Sequence, residues 1–162
     1  MIDTGKTLIL GYGNPDRGDD GLAWHVLNEL CACFDRGQDA LFNGEIFELN
    51  EQTDCWFGFQ LTPELSDLIT SYARLIFIDA HVNPQSQDVE IKSLNPEFKL
   101  SPLTHHLTPA GLLGIVNTIG KIAPPSTLIA LRGFVFGFSR SLSSQAEITR
   151  QKATEAIRTM IE

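Results

Sequence analysis

Three cysteines in 162 residues leave little to build a disulfide framework from, and Cys31 and Cys33, two apart in a helical stretch, point their side chains in different directions. No apolar run approaches the roughly 18 residues that would cross a bilayer, and no basic-then-apolar signal segment opens the chain. A reducing, cytoplasmic setting is expected. Positive charge is scarce as well. Twelve Lys and Arg against 20 Asp and Glu give a formal net charge of −8, a field that repels phosphate backbones and anionic membrane surfaces. Neither nucleic acid nor a membrane is an expected partner. Internal repeats, linkers and low-complexity tracts are missing too, so residues 1–162 read as a single domain.

The remaining composition, 43% hydrophobic and 20% charged, suits a packed globular core. Thr7-Leu8-Ile9-Leu10-Gly11 has the pattern of a strand buried on both faces of a parallel sheet. A helix carrying Leu22, Val26, Leu27 and Leu30 follows, with Asp19 or Asp20 placed to cap it. A second strand is expected over Glu45–Leu49, then a polar and aromatic irregular stretch from Asn50 to Gln60. Thr62-Pro63-Glu64-Leu65 predicts a helix start with threonine as cap. Leu75–Ile78 predicts a third buried strand ending at Asp79, Val89–Leu94 an edge strand, and Thr108-Pro109 another capped helix. Ser126–Phe136 is rich in β-formers, and Ser143–Ile161 predicts a closing helix whose apolar side is Ile148, Ala153, Ile157 and Met160. Strands alternating with helices imply an α/β fold, a three-layer α/β/α sandwich on a mostly parallel sheet of about five strands.

Ligands of such sheets bind outside the carboxyl ends of the strands. The loop after the first strand, from Gly11 to Gly21, looks superficially like a dinucleotide-binding turn, but Asp16 stands where the third glycine belongs. Asp19 and Asp20 would set two negative charges against a pyrophosphate. No phosphate loop and no nucleophile elbow is present to support a nucleotide-binding or α/β-hydrolase reading. The adjacent acids suit a helix cap or a cation instead. Asp79, at the end of a buried strand, and the pair His105-His106, before a capped helix, add candidates from two further loops. Two carboxylates and an imidazole form a mixed oxygen and nitrogen set suited to a borderline divalent ion such as nickel or zinc, with positions left open for water or substrate. His81, two residues beyond Asp79, is a weaker candidate; His25, Trp24 and Trp56 read as packing residues, Trp56 with some capacity for a partner.

The series Gly11-Tyr12-Gly13-Asn14 with Asp19-Asp20-Gly21, then Ile78-Asp79-Ala80, then Thr104-His105-His106-Leu107-Thr108-Pro109-Ala110-Gly111 resembles the nickel-iron hydrogenase maturation endopeptidases. The match extends through Gln60–Leu65 and Gly133–Ser143. The resemblance implies removal of a short C-terminal extension from the hydrogenase large-subunit precursor after nickel insertion, with Asp20, Asp79 and His106 as metal ligands. It also implies nickel delivered by the substrate, with zinc or cadmium able to substitute in isolated protein. Asp16 and Asp19 are second-tier acids for positioning water or a basic substrate residue, and His105 a second-tier alternative to His106. Ala23 replaces a frequent family glycine, and Glu51–Phe59 reads as an insertion in the substrate-facing loop. A non-enzymatic module that checks the same precursor for nickel would use the same ligands.

Overall fold

The computed structural model describes residues 4–37, 44–97 and 106–162. They form an α/β fold on a six-stranded sheet: β1 (Thr7–Tyr12), β2 (Phe47–Asn50), β3 (Thr53–Gly58), β4 (Arg74–His81), β5 (Val89–Leu94) and β6 (Ser126–Arg132), in the order β2-β3-β1-β4-β6-β5. The four middle strands are mutually parallel, whereas β2 and β5 pair antiparallel at the two edges. The helices are α1 (Leu22–Cys33), α2 (Leu65–Ile69), α3 (Pro109–Thr118) and α4 (Ser144–Ile161).

Strand alternation sorts the core into two layers. Ile9 of β1, Ile76 and Ile78 of β4 and Ile129 of β6 face α1 and α4. Leu8 and Leu10 of β1, with Leu75 and Phe77 of β4, face α2 and α3. The central strands are buried on both faces, which is why β1 and β4 read as continuous apolar runs.

The largest departure from the sequence expectation is β3. Residues 50–60 are not an irregular stretch; Thr53–Gly58 is an interior strand paired in register with β1. Its polar member disguised it. Asp54 is buried, where it accepts a hydrogen bond from the Tyr72 hydroxyl (2.8 Å) and an ion pair from Lys6 (3.0 Å). Satisfied in this way, a carboxylate can occupy a strand that simple hydrophobicity would exclude. The sheet thus has six strands, one more than expected. Trp56, on the same strand, is core and donates its indole N–H to the Gly44 carbonyl (2.7 Å).

Three local expectations also shift. Thr62-Pro63 opens a turn, with Leu65 N–H donating to the Thr62 carbonyl, and α2 begins only at Leu65 with no side-chain cap. Neither Asp19 nor Asp20 caps α1, which is preceded by a single 3-10 turn over Gly18–Gly21. Ile148 on α4 is exposed; the helix buries Ala153 and Ile157 as expected, with Ala146 and Thr149 beside them in place of Ile148. The cap of α3 matches expectation, with Thr108 accepting from Gly111 N–H, and α4 is capped as well, Ser143 accepting from Ala146 N–H. No described helix is long and apolar enough to cross a membrane.

Candidate active site

The pairing of β1 with β4 runs in register through Gly11 and Ile78. One residue on, Tyr12 and Asp79 therefore stand side by side, on the same sheet face as Leu10 and Phe77 two residues back. The Tyr12 hydroxyl donates a hydrogen bond to the Asp79 carboxylate. Sequence reading passed over this tyrosine; the available signal was an aromatic between Gly11 and Gly13 at a strand end facing the ligand side.

The chain then turns sharply. Gly13 has φ 139°, and a Cβ there would lie 2.1 Å from the Asp20 carbonyl oxygen, so the loop folds back onto Asp20 at a distance that excludes any side chain. Asn14 fixes the return: its N–H donates to Asp20 Oδ2 (2.9 Å), and its own Oδ1 accepts from Asp16 N–H (2.9 Å). Asp20 is thereby held near Asp79. Burial pushes the Asp79 carboxyl up, the Tyr12 hydrogen bond opposes this and the Asp20 charge adds to it, leaving Asp79 at about 6. Tyr12 is itself raised, by burial first and then by the Asp79 charge. Replacing Tyr12 with Phe removes the donor that favours the ionised carboxylate, so the Asp79 pKa is expected to climb above its present value. A carbon-detected NMR titration of Asp79 measures this, and an unchanged or lower midpoint would show that the hydroxyl does not serve the carboxylate.

The remaining candidates divide. Asp19, adjacent to Asp20, is completely buried and points the other way. It accepts from the N–H groups of Phe134 (2.8 Å), Val135 (2.9 Å) and Ser143 (2.8 Å) and from the Ser143 hydroxyl (2.7 Å). Its lone pairs are committed to holding the loop after β6 and the start of α4. Asp16 forms an ion pair with Arg140 and accepts Ser139 N–H at its carbonyl. His81 ends β4, accepts Asn83 N–H at Nδ1 (3.2 Å), and is lowered by burial against the opposing charge of Glu90. His25 bonds the Arg140 carbonyl through Nε2 (3.2 Å), away from the acid pair, with its ring edge-on to Trp24.

His106 is exposed, two residues before the Thr108 cap of α3. Because α3 packs on the same sheet face as Tyr12, His106 lies in the segment leading into a helix on the Asp79 side of the sheet. His105 lies outside the described residues. Among the described residues, no three His, Cys, Asp or Glu side chains stand close enough together to hold one metal ion. Asp20 and Asp79 are brought together, and His106 is not yet joined to them. In donor chemistry, two neighbouring carboxylates, one already driven towards its neutral form, fit a divalent cation, which would relieve their mutual repulsion.

No family model and no curated protein matches the sequence. Solved structures do. The chain is similar to the hydrogenase maturating endopeptidase HybD from E. coli, with a TM-score of 0.67, 18% identity, and 96% of this chain aligned to 91% of that one. A [NiFe] hydrogenase maturation protease HycI from Thermococcus kodakarensis gives 0.65 and 16%, over 97% and 92% of the two chains. The hydrogenase 2 maturation peptidase from Thaumarchaeota archaeon SCGC_AB-539-E09 gives 0.61 and 20%, over 96% and 97%. The chain therefore has, over nearly its whole length, the fold seen in these hydrogenase maturation endopeptidases.

Proposed function

We propose that this protein is an endopeptidase of hydrogenase maturation, which removes the C-terminal extension of a [NiFe]-hydrogenase large-subunit precursor carrying nickel. The observation that carries the reading is the placing of Asp79 at the carboxyl end of β4, beside Tyr12, with Asp20, fixed by Asn14 N–H, near enough for its charge to raise the Asp79 carboxyl. The fold shared with a hydrogenase maturating endopeptidase and a hydrogenase maturation protease supports it.

In this reading Asp20 and Asp79 offer oxygen ligands to the metal of the incoming substrate, and His106 supplies a nitrogen when the substrate is seated. Bound there, the metal would polarise the scissile carbonyl or acidify a water. The chain's own contribution is orientation. Asn14 N–H fixes one carboxylate and the Tyr12 hydroxyl the other, so both are set before the substrate arrives.

The test incubates the purified protein with nickel-loaded and nickel-free precursor and follows the C-terminal extension by mass spectrometry, alongside Asp20→Asn and His106→Ala. Cleavage of the loaded precursor alone, lost in both variants, is the expected result. Binding of loaded precursor with no cleavage would replace the peptidase with the nickel-checking module. Undiminished cleavage by Asp20→Asn would remove the acid pair from the mechanism.

A further inference from the structure

A groove of about 560 Å³ runs between α1 and α4, on the side of the sheet away from Tyr12 and Asp79. His25, Asn28, Glu29 and Ala32 line it from α1, and Glu147 and Arg150 from α4. Positions 25, 28, 29 and 32 share one face of a helix and cover about 10 Å of its axis. A volume of this size suits a small molecule.

The groove is rich in acceptors and short of free donors. Asn28 is 8% exposed, and its Oδ1 is buried with no hydrogen-bond partner among the described residues. A buried acceptor in that state is destabilising until a donor reaches it. His25 Nε2 donates to the Arg140 carbonyl (3.2 Å), which leaves Nδ1 of the neutral ring as an acceptor. Burial holds the ring towards that neutral form. Arg150 is claimed from both sides, since Nε donates to Glu147 (2.9 Å) and Nη1 pairs with Glu29. Two carboxylates against one guanidinium leave the lining with a surplus of one negative charge.

The geometry points to this groove as a binding site for a small aliphatic ammonium ion, its NH3+ group donating to Asn28 Oδ1 and the glutamate oxygens and its alkyl part lying over Ala32. Ammonium is the matching group because it brings three donors, no acceptor and one positive charge. An anion would meet the surplus charge, and Arg150 is already taken by the two glutamates. A metal ion lacks ligands, since among the described residues no three His, Cys, Asp or Glu side chains stand close enough together to hold one. The site lies apart from Asp20 and Asp79 and stands whether or not the chain cleaves a precursor.

An NMR titration of the amide signals of the full chain with n-butylamine tests this, in salt at about 0.15 M to suppress diffuse attraction to a protein of net −8. Saturable shifts are expected at residues 25–32 and 147–150, with affinity about tenfold lower in Asn28→Leu and in Glu147→Gln. Asn28→Leu removes the stranded acceptor, so without amine it should melt no lower than wild type; if leucine disturbs the helix, Glu147→Gln decides alone. Glu64→Gln, which neutralises an exposed acid ahead of α2, should bind as wild type does. Tetramethylammonium carries the charge without an N–H and should not compete. Absence of saturable shifts, wild-type affinity in Glu147→Gln, or equal binding of tetramethylammonium would overturn the site. Sedimentation velocity adds the last arm: a dimer that butylamine dissolves would overturn the free-ligand assignment and give the groove to a lysine of a second copy.

Discussion

Asp79→Asn is expected to abolish precursor cleavage and, at the same time, to make the protein more stable. The two effects share one cause. An amide of the same shape still accepts the Tyr12 hydrogen bond, but it cannot ionise, so the negative charge paired with Asp20 disappears. Loss of a group acting directly in the chemistry costs a factor of roughly 10² or more in turnover. On the stability side, the carboxyl is raised from 3.8 to about 6, burial contributing most. A raised acid is held in its neutral form more easily when folded than when unfolded. It leaves stability intact below pH 4, erodes it as pH rises from about 4 to 6, and imposes a constant cost above that, at most about 3 kcal/mol. Asparagine removes this dependence. Melting temperature at pH 7 should rise by several degrees, at about 2–4 °C per kcal/mol for a chain of this size, and the gap from wild type should close towards pH 4. Cleavage retained to within tenfold would exclude Asp79 from the machinery. A melting temperature lower than wild type at pH 7 would show that the folded protein favours the charged carboxylate.

That pairing of cost and position was partly legible in the sequence. Four apolar residues followed by Asp79 announce a buried strand delivering a carboxylate to the ligand side, and the Gly-rich acidic loop after β1 announces its partner. Period and punctuation carry such information well. Local pattern did not distinguish Asp19 from Asp20, which only the family resemblance ranked, because adjacent residues in a loop point to opposite sides and the deciding donors, Phe134, Val135 and Ser143, lie more than a hundred positions away. Nor did it reveal β3, where Asp54 breaks the apolar pattern and its compensation comes from Lys6 and Tyr72. Tyr12 was hidden for the related reason that its role depends on the register between β1 and β4. Long-range polar pairing is the information that local periodicity does not contain.

Asp19→Ala should have the largest effect on the fold itself. Burial alone would raise the Asp19 carboxyl, but hydrogen bonds from Ser143, Val135 and Phe134 together bring it below its ordinary range. The substitution strands three N–H donors that have no other acceptor among the described residues, at about 1–3 kcal/mol each. It also unhooks the Ser143 hydroxyl, which caps α4 through Ala146 N–H. A loss of at least about 3 kcal/mol follows, so the melting temperature should drop by some 6–12 °C. The pH dependence runs opposite to that of Asp79. A depressed acid contributes its full stability above the unfolded carboxyl range and loses it as pH falls through the folded value, so wild type should weaken below about pH 4 more steeply than the variant. Asparagine is no rescue, because Oδ2 accepts three donors and Oδ1 a fourth, and an amide NH2 at either position faces N–H or O–H groups. The functional consequence also differs from that of Asp79. The loop from Gly133 to Ser143 leaves the carboxyl end of β6, next to that of β4, so freeing it at Asp19 should raise KM for the precursor at temperatures where the variant remains folded, with turnover by Asp20 and Asp79 less affected. Thermal unfolding and steady-state kinetics separate the two acids: an Asp19→Ala protein as stable as wild type, or one that loses kcat with unchanged KM, would mean that Asp19 works on the reaction side of the loop after all.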